Sequence, residues 1–176
     1  MLIRESYKNY APSLDFKEIV SRLLVDVPEE FKGSLEAIVL GNSSSRKPNK
    51  SRIRSKGRKV EARSIAGLYH QSKRSSRAWI EIYVDNVFPE YLPSWLIRFP
   101  FVQDIFVGKT LFHEIGHHID YTTGRGKNRE ASAESWSKKL ARQYMRKHHR
   151  RKRPIVKAIV FLLRTVTSLA RKITMV

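Results

Sequence analysis

Cysteine is absent from the 176 residues of this chain. Its absence excludes disulfides, thiolate zinc sites, cysteine nucleophiles and cysteine-ligated iron–sulfur clusters. Any metal ion must therefore be held by histidine, aspartate or glutamate side chains. A chain without cysteine fits a reducing compartment, and the first sixteen residues contain no apolar stretch of the kind that a secretory signal needs. We therefore expect a cytoplasmic protein.

Acidic residues are scarce, since 16 Asp and Glu accompany 35 Lys and Arg, and the formal net charge is +19. The excess lies in residues 42–77, with twelve basic residues and one acidic, and in residues 138–153, with nine basic and none acidic. Clustered basic side chains favour polyanionic partners, so both segments predict contact with nucleic acid or with an anionic membrane surface. For residues 42–59, a loop that only improves solubility is an equal alternative.

Long apolar runs are missing until the C-terminal residues 155–176. There, Lys157, Arg164 and Arg171 recur every seven residues, so they form one polar stripe on an otherwise apolar helix. A spanning helix would place Arg164 near the bilayer centre, at a cost of about 2.5–3.5 kcal/mol. Three roles stay open: lying in the inner membrane interface, packing on this chain or on a second copy in a homo-oligomer, and spanning the bilayer.

Apolar periodicity predicts an α+β protein. Ser13 is placed to cap the first helix. Gly124 is placed to end the helix predicted in the second half of 102–121, and Asn128 is placed to cap the helix predicted over 129–150. The predicted elements are a helix over 15–25, a strand over 34–41, a mobile basic loop over 41–59, a strand over 60–71 with a bulge at Gly67, a turn over 72–77, a strand over 78–85, short helical or irregular structure over 88–101, a helix in the second half of 102–121, and helices over 129–150 and 155–176.

Residues 113–117 have the sequence His-Glu-Ile-Gly-His. Two histidines four positions apart lie on one helical face, where their ring nitrogens can bind one Zn²⁺. Glu114 lies about 100° round the helix from His113, so its carboxylate can act as a base on a zinc-activated water without ligating the metal. Gly116 costs about 1 kcal/mol relative to alanine inside a helix, which predicts close packing at this position.

Catalytic zinc normally has three protein ligands and a water, so the histidine pair needs a third partner. Glu130 and Glu134 follow one turn apart, and both can face the histidines if residues 121–128 reverse the chain. Helix rise does not choose between them, because both fall near the level of the histidines. Each also has a plain structural interpretation: Glu130 complements the positive end of a helix dipole, and Glu134 is a solvated acid in a basic helix.

The segment TLFHEIGHHIDY, followed by EASAESW, resembles the gluzincin branch of the zincin metallopeptidases. It is most similar to small peptidase domains related to the catalytic domain of anthrax lethal factor, which pair HExxH with Glu-x-x-Ala-Glu/Asp-x-aromatic in the following helix. The resemblance covers about residues 60–145. It implies a zincin-like α+β fold, in which a small antiparallel or mixed sheet packs on the HExxH helix and a glutamate-bearing helix follows. It also implies a Zn²⁺ cofactor and a protein or peptide substrate.

The resemblance assigns a role to each residue of the motif. His113 and His117 match the histidine ligands, Glu114 the general base and Glu130 the third ligand. Glu134 matches the acid that orients a ligand histidine. Glu134 lies seventeen positions after His117 and Glu130 lies thirteen positions after it, and this departure in spacing leaves the third ligand open between the two glutamates.

No residue securely matches the tyrosine or histidine that stabilises the oxyanion in many such enzymes. Tyr121 and Tyr144 are the candidates, and each also fits a structural role. The strand predicted over 78–85 resembles the edge strand that binds substrate in zincins. His118 points away from the face that carries His113 and His117, so we expect it on the surface.

These observations divide the chain into three parts. Residues 1–59 contribute a helix, a strand and a basic loop, residues 60–150 form the zinc-peptidase core, and residues 151–176 form the C-terminal amphipathic helix. The competing hypothesis is a basic protein that binds nucleic acid or a membrane surface and whose metal site is structural or degenerate. A fourth protein ligand would favour that hypothesis, and an open water position would favour catalysis.

Overall fold

The described part of the chain is an α+β structure, as the apolar periodicity predicts. The structure, a computed structural model, describes residues 1–45, 52–55, 58–61, 65–72, 77–124 and 129–150. Its helices and strands in chain order are β1 (Leu2–Ser6), α1 (Phe16–Leu24), α2 (Glu29–Lys32), β2 (Leu35–Gly41), β3 (Arg52–Ser55), β4 (Arg58–Glu61), β5 (Gly67–His70), β6 (Ala78–Tyr83), α3 (Ser94–Ile97), α4 (Pro100–Thr123) and α5 (Arg129–His148).

Four of these strands form one mixed sheet in the order β1-β2-β6-β5. Strands β1, β2 and β6 run parallel, and β5 pairs antiparallel with β6 at one edge. Strands β3 and β4 form a separate antiparallel pair. In the central strands Ile38 pairs with Ile80 and Leu40 with Ile82, and all four side chains are fully buried. These aliphatic side chains form the centre of the sheet's contribution to the apolar core.

Helices α1 and α4 supply twelve further residues of the core. Their buried apolar residues recur at helical spacing, and the Arg22 guanidinium of α1 donates a hydrogen bond of 2.8 Å to the buried Asp104 carboxylate of α4. A buried carboxylate needs such a partner to offset its loss of hydration. The core residues of the two helices are Phe16, Ile19, Val20, Leu23 and Leu24 in α1, and Phe101, Val102, Val107, Leu111, Phe112, Ile115 and Ile119 in α4.

Helix α4 carries the HExxH motif in its second half. It begins at Pro100, where a missing N–H costs nothing and the fixed φ suits a first turn. It ends at Gly124, whose φ of +63° is left-handed and favours glycine. The predicted end is therefore confirmed. The predicted start is too late, because Pro100 opens the helix. The short helix α3 lies within residues 88–101, where short helical or irregular structure is predicted.

The contact between α4 and α5 depends on Gly116. A Cβ atom at this position would clash with the Ala133 backbone. It would lie 2.9 Å from the Ala133 Cα, 3.0 Å from the Ala133 carbonyl carbon, and closer still to the Ala133 carbonyl oxygen. Ala133 is itself fully buried. The close packing predicted from a glycine inside the motif is confirmed, and it lets the two helix backbones approach one another around the histidines.

Several local predictions are corrected by the structure. The α1 cap is Asp15, whose Oδ1 accepts a hydrogen bond of 2.8 Å from the Glu18 N–H, rather than Ser13. Strand β1 was not predicted, since one residue of its five is half-buried and the others are exposed. The predicted loop over 41–59 contains β3 and the start of β4, so it is not a loop throughout.

The two strands predicted before the HExxH helix also differ from expectation. The single strand predicted over 60–71 is interrupted, because β4 ends at Glu61 and β5 begins at Gly67. The strand predicted over 78–85 is present as β6, but it is paired on both sides, with β2 and with β5. The prediction that it is the edge strand is therefore wrong, and the edge next to α4 is β5.

Contacts within the chain define one unit over Met1–Gln143 and another that begins at Tyr144. Among the described residues, no helix combines the length and the apolar character needed to cross a bilayer. The helix predicted over 155–176, the Asn128 cap and most of the basic segment that precedes β5 lie outside the described side chains.

Replacing Gly116 with alanine should destabilise the protein by about 1–3 kcal/mol, because the added methyl group meets the Ala133 backbone, which cannot rotate away. Gly33 is the matched control: its φ of −60° and ψ of −30° suit alanine, and an added Cβ would meet only the Glu29 oxygen at 3.6 Å. Urea denaturation measures the free energy of unfolding of both variants and of the wild type. Equal stabilities would mean that α4 and α5 do not pack this closely.

Candidate metal centre

His113 and His117 lie one turn apart on α4 and face the start of α5. Their ring centroids are 4.8 Å apart and the rings are nearly perpendicular, at 83°. Glu130 approaches both rings: one carboxylate oxygen lies 3.7 Å from Nε2 of His113, and the other lies 3.8 Å from Nε2 of His117. One ligand atom from each of the three residues lies within 4.8 Å of the others. No other such group of histidine and carboxylate side chains occurs among the described residues.

This group fits a zinc ion. Bonds of about 2.0–2.2 Å in tetrahedral geometry place neighbouring ligand atoms about 3.3–3.5 Å apart. The two histidine–glutamate distances of 3.7 and 3.8 Å exceed this range by a few tenths of an ångström and involve different oxygens of Glu130. One atom from each residue lies within 4.8 Å of the others, so side-chain movements of about 1 Å would bring all three to bonding distance. Two imidazoles and one carboxylate form a donor set that zinc accepts, and the three side chains are 20–36% exposed, so one side of the group faces solvent.

Glu134 approaches His113 from the opposite side of the ring. Its Oε2 lies 3.7 Å from Nδ1 of His113, whereas Glu130 lies near Nε2. It is more exposed than Glu130, at 52% against 36%, and its other oxygen pairs with Lys138 at 3.2 Å. A ligand histidine commonly has a carboxylate at its second nitrogen, which fixes the ring orientation. The geometry therefore favours Glu130 as the ligand and Glu134 as the orienting acid.

Glu114 lies against β5 and is only 6% exposed. Burial raises the pKa of its carboxyl group to about 8, a hydrogen bond from the Tyr69 backbone N–H opposes that rise, and the charge of Glu130 adds to it. A divalent cation nearby would favour the ionised carboxylate, the form that accepts a proton. The candidate base and the candidate metal site are therefore coupled electrostatically through Glu130.

Gly67 makes the burial of Glu114 possible. It lies in β5 opposite Ile82, and a Cβ atom there would fall 2.9 Å from Cγ of Glu114 and 2.8 Å from Cγ2 of Thr110. The sequence signal was a glycine inside a strand pattern, which indicates either a bulge or a close approach. The bulge predicted at Gly67 is a close approach to the candidate base.

The protonation of His117 also suits metal binding. Burial lowers its pKa, the neighbouring His113 imidazole lowers it further, and Glu130 and Asp120 partly oppose this shift. Neutral imidazole is the form that ligates metals. His117 therefore offers a free lone pair at neutral pH without first losing a proton.

His118 is buried, at 1% exposed, so the expectation of a surface histidine is wrong. Its Nε2 lies 2.8 Å from the Ser34 hydroxyl and its Nδ1 lies 3.1 Å from the Tyr69 hydroxyl. The direction deduced from helix geometry was right, because the ring does point away from His113 and His117. That side of α4 faces the sheet rather than solvent, which the spacing of residues within one helix does not reveal.

The two candidate oxyanion tyrosines occupy different settings. Tyr121 follows His117 by one turn, is 42% exposed, and has its ring 6.3 Å from the ring of Tyr69. Tyr144 follows Glu130 by fourteen residues in α5, is 1% exposed, and stacks on His148 at 4.5 Å. Tyr121 is thus the exposed candidate, whereas Tyr144 is a packed side chain.

Comparisons of the chain with known protein families, with curated proteins and with solved structures find no match. The function of the site is therefore inferred from its own geometry and from the resemblance of its motif.

The two glutamates should differ in their effect on zinc. Glu130→Ala removes a ligand atom and should lower zinc affinity by more than about 100-fold, whereas Glu134→Ala should lower it by about 10–100-fold, the usual cost of losing an orienting carboxylate. Competition with a chelator of known zinc affinity measures the zinc affinity of both variants. If Glu134→Ala has the larger effect, the two roles are exchanged. If neither variant changes affinity, the metal lies elsewhere.

Proposed function

We propose that this protein is a zinc-dependent metallopeptidase that hydrolyses peptide bonds with Glu114 as general base. The proposal rests on the convergence of His113 and His117 of α4 with Glu130 of α5. The buried Glu114 lies on α4 between the two histidines. Separate helices contribute the ligands, so the sequence spacing alone does not account for their meeting. The resemblance to gluzincins supports the same assignment.

The residues of this chain divide the reaction between them. Zinc, when bound, would act as a Lewis acid that polarises the scissile carbonyl and lowers the pKa of water to about 7. His113, His117 and Glu130 hold the ion, and Glu134 fixes the ring of His113. The Glu114 carboxylate takes a proton from the attacking water and then gives it to the nitrogen of the leaving amine.

Strand β5 offers a place for an extended peptide substrate. It is the edge strand next to α4, and among the described residues no strand pairs with its outer side. An extended peptide can add to such an edge through main-chain hydrogen bonds. Because Gly67 and Tyr69 of this strand contact Glu114, a peptide on its outer side would lie close to the base.

Glu114→Gln tests the proposal directly. The substitution preserves size and helix but removes the base, so zinc content should stay at one ion per chain while peptide hydrolysis falls by about 100-fold or more. Metal analysis and mass-spectrometric profiling of cleavage sites in a peptide library provide the measurements. Glu90→Gln, at an exposed position, is the matched control and should leave both unchanged. Loss of zinc from Glu114→Gln would make this residue a ligand, and undiminished hydrolysis would overturn the mechanism.

A second candidate function is binding of a polyanion, either nucleic acid or an anionic membrane surface. The exposed bases Lys138, Lys139 and Arg142 on α5 favour it, with Lys139 lying 4.5 Å above the ring of Trp136. Basic side chains that contact phosphates gain affinity by releasing counterions. This function can coexist with peptide hydrolysis, because the three bases are not among the proposed ligands.

Replacing Lys138, Lys139 and Arg142 with glutamine should weaken binding to duplex DNA. The slope of log affinity against log salt should fall by about one unit for each phosphate that the protein no longer neutralises. A triple variant of the exposed Lys8, Lys17 and Lys109 carries the same charge change and serves as the control. Equal weakening in both variants would show an effect of net charge alone. Binding that ignores salt would remove this candidate.

A further inference from the structure

His118 is a buried polar side chain that the proposed reaction does not use. It follows the ligand His117 but faces the other way, and both of its ring nitrogens have hydroxyl partners, Ser34 at 2.8 Å and Tyr69 at 3.1 Å. A neutral imidazole has one N–H donor and one acceptor, and a hydroxyl can serve in either role. One hydroxyl therefore donates to His118 and the other accepts from it, and the ring is fully satisfied in a neutral form.

The three residues of this His118 network come from three elements. Ser34 precedes β2, His118 lies in α4 and Tyr69 lies in β5. Strand β5 has only four residues, and all of its pairing within the sheet is with β6. The ring of Tyr69 also packs against that of His118, with centroids 5.5 Å apart at 62°. The network therefore gives this short edge strand a second attachment, to α4.

The position of β5 in turn determines the surroundings of Glu114. The Tyr69 backbone N–H donates a hydrogen bond to the Glu114 carboxylate. Gly67, two residues earlier in β5, leaves only enough room for the Glu114 side chain, since a Cβ there would fall 2.9 Å from its Cγ. The same residue, Tyr69, thus contacts the candidate base through its main chain and the His118 network through its side chain.

We propose that Ser34, His118 and Tyr69 form a positioning network that fixes β5 against α4 and thereby sets the place of the Glu114 carboxylate. Tyr69 acts through Glu114 and does not need to touch the substrate. The effect on catalysis rests on the proposed peptidase function, whereas the effect on β5 does not.

Tyr69→Phe tests the network with the smallest change, because it removes the hydroxyl and keeps the ring. Zinc content should stay at one ion per chain, since all three ligands remain. The kcat for a cleavable library peptide should fall by about 10-fold or more, because a misplaced base costs rate steeply, while KM changes by no more than about 2-fold. The β5 amides should exchange with solvent about 5-fold faster without this attachment.

Tyr91→Phe is the matched control, since Tyr91 is 56% exposed and belongs to no proposed site. It should leave zinc content, kcat and amide exchange at wild-type values. Ser34→Ala tests the opposite end of the network and should reproduce the changes of Tyr69→Phe in weaker form. His118→Gln keeps one donor and one acceptor and should recover most of the activity that His118→Phe loses.

Hydrogen exchange keeps this test independent of the peptidase assignment. If the wild-type protein binds zinc but cleaves no peptide, the proposed function fails, and faster β5 exchange in Tyr69→Phe still supports the network. If Tyr69→Phe matches Tyr91→Phe in β5 exchange, the network does not fix the strand and the proposal is overturned. If exchange changes but kcat does not, β5 does not position Glu114 and the proposal is likewise overturned.

Discussion

The close contact between Gly116 and Ala133 is the constraint on which the candidate metal site depends. The histidines are placed by α4 alone, but Glu130 reaches them only because α5 approaches without a side chain between the two backbones. An internal glycine costs a helix about 1 kcal/mol, so the chain gives up local stability in order to bring two helices together. Gly116, the second of the two unspecified positions in HExxH, thus has a structural role inside a motif that is usually described by its ligands.

Features set by the geometry of a single helix were predicted well from the sequence. Histidines four positions apart share a face by the helix repeat itself, and a glutamate next to the first one must point elsewhere. Gly124 was predictable as a helix end because left-handed backbone favours glycine. The pairing of Glu130 rather than Glu134 with both histidines needed the structure, because helix rise places both glutamates at a similar level.

Features that the sequence did not reveal depend on contacts between distant elements. The order of strands in the sheet is not readable from apolar alternation, so β6 was predicted at the edge that β5 occupies. The burial of His118 depends on which side of α4 the sheet covers, and a mainly exposed strand such as β1 has little apolar pattern to find. Gly67 did carry a signal, but a glycine in a strand fits a bulge as well as a close approach.

The site combines contacts of very different sequence separation. The proposed zinc ligands all lie between His113 and Glu130 in two successive helices, whereas the hydrogen bond from Tyr69 to Glu114 joins residues 45 positions apart. Contacts that close short loops form faster than those that close long ones. We therefore expect the folding chain to assemble its ligand set early, as a local helical hairpin, and to enclose Glu114 only when β5 docks. Under the proposed function, a newly made chain would then capture metal before it could cleave a peptide bond, which would protect its neighbours and itself during synthesis.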